Sequence, residues 1–370
     1  MAKVRKKLDY ILLGIVGLLV SYGFIILASA STHFSVKNFD TPYYSLLHQL
    51  KFGLIPGLLL LYFLSKFSLD ILKKIIPFLL LGSLLLMMLV FVPGIGVKSG
   101  SAARWISLGG LSFQPSELLK LTLILYIASW LEGRKNKTVS PKDTEESLFA
   151  FFFILLLIAI LLLSQSDIGT LGTIILTVIL MYFFSGNPLW HIGLTVTLGI
   201  VVLLLFIGIS PYRRERVMVF LNPEADSLGA GYQTNQALIA IGSGGLLGVG
   251  AGMSEQKLSR LPHPDSDSIF AILAEETGFV GAVVLLLLFA LFLWRGYEIG
   301  RKSTDTFSQL TALGITSWIL IQTFVNIGAM IKFLPITGIP LPFISYGGSA
   351  MLVELAAIGI LLNISKTSLN

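Results

Sequence analysis

Two carboxylates and an imidazole stand close together in the segment Leu261-Pro-His-Pro-Asp-Ser-Asp-Ser-Ile-Phe270, directly before a long apolar stretch. Asp265 and Asp267 therefore lie in a loop or in the first turn of a helix. A carboxylate in that position could act as a general base, bind a divalent cation or cap the helix. The residues alone leave these three roles open, and they make this segment the first candidate for chemistry.

A second group of candidates consists of charged residues in stretches that are otherwise apolar. Glu117 and Lys120 are three positions apart, so a helix would place them on one face within reach of an ion pair. Charge within a membrane span indicates function. The alternative is that Glu117 complements the helix dipole while Lys120 extends its amine to the membrane surface. Further residues of this kind are Glu275, Glu276, Glu354 and Asp167, the last expected to order the turn 164–170.

Two segments are rich in glycine or proline. The glycine-rich stretch 242–252 is weak as a phosphate cradle because no strand precedes it, so a compact turn or a re-entrant surface segment is favoured. The stretch 334–349 mixes prolines and glycines, which prevents a regular helix. Irregular backbone between two spans is expected to line a cavity or groove.

The elements that must position these residues are membrane helices. Hydrophobic residues make up 55% of the chain and charged residues 12%, with a mean hydropathy of +0.86, which lies outside the range of soluble proteins. The apolar runs show no alternation, so helices are favoured over a barrel. The predicted fold is all-α: a polytopic membrane protein of about ten transmembrane helices, forming one domain over residues 1–370. The predicted spans lie near 10–30, 47–65, 74–92, 116–132, 148–165, 168–185, 190–208, 269–294, 309–331 and 347–363.

Basic residues predict the orientation of the chain. They are concentrated at the N-terminus and in the loops on the same side, which the positive-inside rule makes cytoplasmic, together with both termini. The long segment 209–270 is then a large extracytoplasmic loop. We expect the first apolar run to be retained as a span, because it is longer than the core of a signal peptide. The basic residues beside the spans do not predict nucleic-acid binding, and the chain contains no cysteine for a disulfide or thiolate metal site.

Several blocks along nearly the whole chain resemble the SEDS family (shape, elongation, division and sporulation; the FtsW/RodA family). These blocks are Ala103-Arg-Trp-Ile-Ser-Leu-Gly-Gly110, Phe113-Gln-Pro-Ser-Glu-Leu-Leu-Lys120, Ser164-Gln-Ser-Asp-Ile-Gly-Thr170, Phe220-Leu-Asn-Pro223, Gly231-Tyr-Gln-Thr-Asn-Gln236 and Thr337-Gly-Ile-Pro-Leu-Pro-Phe-Ile-Ser-Tyr-Gly-Gly348. The resemblance implies a peptidoglycan glycosyltransferase that polymerises lipid II into glycan strands at the outer face of the cytoplasmic membrane. The segment Gly252-Met-Ser-Glu-Gln-Lys257 is more similar to the division branch than to the elongation branch.

The resemblance also implies roles for single residues. Asp267 aligns with the essential aspartate of the family and would be the general base that deprotonates the acceptor sugar in an inverting transfer. Ser266 and Ser268 replace the usual threonine and phenylalanine, and Asp265 stands beside the aligned aspartate as a further candidate for substrate contact.

Binding of the lipid pyrophosphate requires cations. The candidates are Lys120, positioned by Glu117, and Arg213, Arg216 and Arg104, with a divalent cation such as Mg or Mn as an additional expectation. The implied partners are lipid II and the growing strand, a class B penicillin-binding protein transpeptidase and other division proteins at the septum. Two other functions are kept open. A lipid II flippase would depend on charges within the membrane such as Glu117 or Glu354, and a noncatalytic scaffold would depend on neither these nor Asp267.

Overall fold

The computed structural model describes residues 8–99, 102–108, 111–136, 141–186, 193, 197, 199, 208, 230–258 and 260–368. These residues are mostly helical, as predicted. The helices are α1 Tyr10–Ala30, α2 Thr32–Phe39, α3 Tyr44–Lys66, α4 Leu69–Leu89, α5 Pro115–Asn136, α6 Pro141–Ser164, α7 Ile168–Phe184, α8 Ala230–Ser243, α9 Ile269–Arg301, α10 Thr306–Met330 and α11 Gly348–Ser368. The middle of α3, Leu50–Leu54, is a π-helical turn.

The helices confirm a membrane bundle but not the count of ten spans. Within the described residues, 6 helices are long and apolar enough to cross a membrane, namely α1, α3, α4, α9, α10 and α11. The apolar part of α6, Phe151–Ser164, and α7 are shorter. The predicted span near 116–132 is helical as α5, whereas the one near 190–208 falls largely outside the described residues.

The core of the bundle is formed by α10 and α11, which the other helices surround. Trp318 and Phe307 of α10 are among the largest fully buried side chains. α11 packs closely on α3, where a Cβ at Gly57 would lie 2.7 Å from Leu355. This contact explains why a small residue occupies the crossing point. Helices α1, α4 and α9 expose many aliphatic side chains outward, as expected for surfaces that face lipid.

A small antiparallel sheet departs from the all-α expectation. Its strands are β1 Gly96–Ser99, β2 Ala102–Leu108 and β3 Leu111–Phe113, in the order β1-β2-β3. β2 is central, and its Ile106 pairs with Gly96 on one side and Phe113 on the other. Such short strands between two strong apolar runs give little periodicity to detect. The sheet matters because β2 carries Arg104 and β3 leads into α5 at Pro115, a favourable first residue for a helix.

Candidate functional site

Asp267 lies immediately before α9, in contact with the proline-rich loop of residues 334–347. Its backbone carbonyl accepts a hydrogen bond of 2.8 Å from Asn326 Nδ2, which also donates to the Ile339 carbonyl at 2.8 Å. The carboxylate reaches the loop at Gly338, whose φ of +72° favours glycine. A Cβ at Gly338 would lie 3.3 Å from Asp267 Oδ2. The loop therefore forms one wall of the space in front of Asp267.

Arg104 borders the same space. Its Nη1 lies 4.0 Å from the position of a Cβ at Gly338. The guanidinium is held by the turn between α6 and α7: Nε donates to the Gln165 carbonyl at 3.4 Å, Nη2 donates to the Ser166 carbonyl, and Nη1 lies 3.9 Å from Asp167 Oδ1. The structure thus brings Asp267 and Arg104 together, although they are far apart in the sequence.

Asp265 has a different environment from Asp267. It is buried, with 7% of its surface exposed, and its carbonyl accepts a hydrogen bond of 2.8 Å from the Tyr346 amide. Burial raises the pKa of Asp265, and the nearby charge of Asp267 adds to this effect, whereas His263 opposes it. Asp267 is only partly buried. Of the two carboxylates, Asp267 is therefore the more accessible to a substrate.

Tyr346 connects Asp265 with the N-terminal part of α3. Its hydroxyl forms a hydrogen bond of 2.9 Å with His48 Nδ1. Burial raises the pKa of Tyr346 to about 12, with the charge of Asp265 as the second cause, so the phenol keeps its proton at neutral pH. Gln49, the next residue of α3, accepts a hydrogen bond from the Gly347 amide at 2.9 Å. These contacts fix the far end of the proline-rich loop.

Glu117 and Lys120 form the predicted ion pair, deep in the bundle. Their charged atoms are 2.8 Å apart and both side chains are 2% exposed. Lys120 Nζ also donates to Gln322 Oε1 at 2.7 Å and lies 5.1 Å from the centre of the Trp318 ring. A small cavity adjoins Lys120 between α5, α7 and α10, lined by Thr173, Thr177 and aliphatic side chains.

The side-chain amides of Gln322 and Asn326 in α10 were not predicted as site residues, yet they connect Lys120, the proline-rich loop and Asp267. Gln322 accepts hydrogen bonds from Lys120 and from Trp318 Nε1, and its own Nε2 donates to the Pro340 carbonyl at 3.0 Å. Asn326, one turn further, joins Asp267 to the same loop. Uncharged amides inside a span were the available signal, because they need partners in an apolar environment.

The remaining buried acids hold backbone and loops in place. Glu354 Oε2 accepts a hydrogen bond of 2.9 Å from the Phe343 amide, where φ is +63°. Asp167 accepts a hydrogen bond of 3.3 Å from the Thr170 amide, which orders the end of the turn 164–170 and caps α7, and it also accepts from Ser116 Oγ at 3.3 Å. We interpret these contacts as structural support for the site.

Glu275 and Glu276 are likewise engaged in contacts within the fold. Glu275 accepts hydrogen bonds from Ser254 Oγ and from the Glu255 amide at 3.1 Å. Glu276 pairs with Lys257 at 2.8 Å and accepts a hydrogen bond from Ser29. Both acids therefore join α9 to the segment that precedes Asp265.

Two sets of sequence predictions are not tested by these contacts. Arg213 and Arg216 lie outside the described residues. Within the part of the chain that the structure describes, no group of 3 or more His, Cys, Asp or Glu side chains is arranged to hold a metal ion.

The apolar spans, with a polar centre built on two interior helices and an irregular loop, define a multi-pass membrane protein. A family model described as cell cycle protein, FtsW/RodA/SpoVE, matches residues 9–370, and the chain belongs to this family. The resemblance to the SEDS family is thereby confirmed.

Relatives and a solved structure agree with this assignment. The chain is 39% identical over 364 residues to stage V sporulation protein E of Bacillus subtilis, covering 97% of both chains. It is 38% identical over 355 residues to a probable peptidoglycan glycosyltransferase FtsW of Coxiella burnetii, covering 95% of this chain and 94% of the other. A chain of a peptidoglycan synthase complex that coordinates polymerization and crosslinking superposes with a TM-score of 0.79 at 30% identity, covering 98% and 99%.

Proposed function

We propose that the chain is an inverting peptidoglycan glycosyltransferase that polymerises lipid II at the outer face of the cytoplasmic membrane. The observation that supports it most directly is the shared space in front of Gly338, which has the Asp267 carboxylate and the Arg104 guanidinium on its border. A general base and a cation that border the same space suit the transfer of a sugar from a pyrophosphate leaving group to an acceptor hydroxyl. The glycosyltransferase named among the relatives supports the same activity.

In the proposed reaction, the acceptor hydroxyl attacks the anomeric carbon of the donor while Asp267 accepts its proton. The bond between that carbon and the pyrophosphate oxygen breaks, and the lipid pyrophosphate leaves with the electron pair. Arg104 stabilises the developing negative charge, and its anchoring by the Gln165 and Ser166 carbonyls keeps it oriented before the substrate arrives. Attack from the face opposite the leaving group inverts the anomeric configuration.

Lys120 has a supporting role in this proposal. It is buried against Glu117, and its contact with Gln322 reaches the proline-rich loop at Pro340. In this conformation it acts on the site through the loop, and Arg104 is the cation beside the base. Arg213 and Arg216 remain candidates for contact with the pyrophosphate.

The proposal extends to the setting of the enzyme. We place both termini in the cytoplasm, segment 209–270 outside, and the protein at the division septum together with other division proteins. The partner would be a class B penicillin-binding protein that cross-links the new strands. Membership of a solved relative in a complex of polymerization and crosslinking supports a partner of this kind.

The test is glycan synthesis from purified lipid II by the solubilised protein with its transpeptidase partner. Asp267→Asn should lower the rate by about 100-fold or more, since it removes the general base. Asp265→Asn should retain most of the activity, because Asp265 is buried. Glu255→Gln, on an exposed side chain nearby, is the control for handling and folding.

Each alternative has its own outcome. Equal synthesis by wild type and Asp267→Asn would refute the proposed base. A partnered, folded preparation that makes no strands but moves lipid II across vesicles, and loses this transport in Glu117→Gln or Glu354→Gln, would establish a flippase. If the preparation shows neither strand synthesis nor lipid II transport, a noncatalytic scaffold would be the remaining function.

A further inference from the structure

Residues 245–250 of the glycine-rich segment provide hydrogen-bond partners where α9 is interrupted. At Gly278 the backbone leaves the helical conformation, with φ of 67° and ψ of −166°. A break of this kind leaves backbone amides and carbonyls without partners within the helix. Residues 245–250 supply partners for four of these groups. The replacing hydrogen bonds join Val249 N to Glu275 O (3.0 Å), Gly250 N to Glu276 O (3.2 Å), Phe279 N to Gly245 O (2.9 Å) and Val280 N to Leu246 O (3.1 Å).

Close approach of the two backbones fixes this arrangement. A Cβ at Gly248 would lie 2.1 Å from the Glu276 carbonyl oxygen, and one at Gly278 would lie 2.3 Å from the Gly248 nitrogen. Neither position can hold a larger residue without displacing backbone. The segment and α9 can therefore pack together in this way only with glycine at both positions.

The side chains of the same segment point away from the protein. Leu246 is 72% exposed, Leu247 79% and Met253 69%. Residues 244–253 contain no charged side chain. Beside them, Phe279 and Val280 of α9 are also exposed, so the apolar surface is continuous across the break. A patch of this kind indicates an interaction partner that is itself apolar.

The length of α9 gives the depth of this patch in the membrane. Trp294 and Arg295 mark one membrane surface, where an aromatic ring and a cation are both favoured. The helical stretch from Phe279 to Trp294 is about 24 Å long at about 1.5 Å per residue, whereas the hydrocarbon core is roughly 30 Å thick. Tilting the helix shortens its span further. The break therefore lies inside the hydrocarbon on the opposite side.

We propose that residues 244–253 form a re-entrant tip that inserts into the bilayer leaflet nearest Asp267 and contacts phospholipid acyl chains. Irregular backbone at this depth requires that its polar groups be satisfied within the protein. The four hydrogen bonds across the break satisfy four such groups of the tip itself, at Gly245, Leu246, Val249 and Gly250. Because Lys257 pairs with Glu276 at 2.8 Å, the end of the tip is tied to α9 just before the segment that carries Asp265 and Asp267.

The absence of native cysteine allows a direct test. Leu247→Cys and Met253→Cys place a fluorescent bimane label in the tip, and Glu255→Cys places it on a neighbouring exposed, charged position. Each labelled protein is reconstituted into phosphatidylcholine vesicles with and without a doxyl-labelled phosphatidylcholine. We expect the doxyl lipid to quench the label at 247 and 253 about twofold more than at 255, and aqueous iodide to show the reverse order.

Two outcomes would overturn the proposal. Iodide quenching at 247 and 253 as strong as at 255 would place the tip in water. Protection of 247 and 253 from both quenchers would show that protein, such as a second copy of this chain, covers the tip. Monodisperse elution of each labelled variant controls for folding. The measurement does not depend on enzymatic activity, so it tests the tip independently of the proposed function.

Discussion

Helices α3 and α10 have the same mean hydropathy over their most apolar stretches, 1.5, but opposite positions in the bundle. Of that stretch, 22% is buried in α3 and 72% in α10. The two differ in where their polar residues stand. In α3 they lie near the ends, whereas in α10 they occur along the whole length, including Gln322 and Asn326. Hydropathy thus identifies a span, and the placement of polar residues distinguishes a peripheral span from one that supports a site.

The comparison predicts that an interior lysine matters far more than a lysine on α3. Glu117→Gln/Lys120→Met removes the buried pair together, so neither partner is left as an isolated buried charge. We expect a loss of about 100-fold in the rate of lipid II polymerisation, because the loop beside Asp267 loses its support through Gln322. Lys51→Met, on the exposed side of α3, should change the rate by no more than about twofold. A comparable loss from Lys51→Met would contradict the comparison.

The second prediction concerns the polar residues of α10 themselves. Asn326→Leu removes the hydrogen bonds to Asp267 and Ile339. We expect kcat to fall about tenfold with little change in KM, since Asp267, the proposed base, loses a contact that positions it. Thr323→Val is the matched control: Thr323 is also buried, but its hydroxyl bonds to the Ile319 carbonyl of its own helix. If both substitutions lower kcat equally, the effect belongs to the packing of α10.

The sequence predicted most spans because apolar runs long enough to cross a bilayer are a strong local signal. It also predicted the ion pair of Glu117 and Lys120, since spacing on one helix decides that contact. Arg104 near Asp267 required the tertiary fold, because a short sheet and a loop bring together residues from distant parts of the chain. The break at Gly278 was not predicted, since its repair depends on hydrogen bonds from a distant segment.

A smaller but measurable difference is expected in how much a leucine-to-alanine substitution in each helix lowers the free energy of unfolding. Leu310→Ala in α10 removes a side chain that is 1% exposed, and a buried change of this kind costs about 2–5 kcal/mol in globular proteins. Leu59→Ala in α3 removes one that is 67% exposed, where lipid fills the space, and should cost less than about 1 kcal/mol. Thermal unfolding of the detergent-solubilised variants measures both. Equal changes in Tm would show that α10 is not the more tightly packed helix.

The smallest effect is expected where α3 meets the segment that carries Asp265 and Asp267, through His48, Tyr346 and Asp265. Burial raises the pKa of Asp265 above its ordinary 3.8, so the folded state binds this proton more tightly than the unfolded state. Ionisation of Asp265 therefore lowers the free energy of unfolding progressively as the pH rises from 3.8 through the folded pKa. Above the folded pKa this cost is present in full. Asp265→Asn removes the cost, so its Tm should exceed that of wild type by a few degrees at neutral pH. The difference should shrink as the pH approaches 3.8, where wild type is also protonated. A Tm difference independent of pH would mean that the Asp265 charge does not destabilise this junction, and that α3 contacts the site through packing alone.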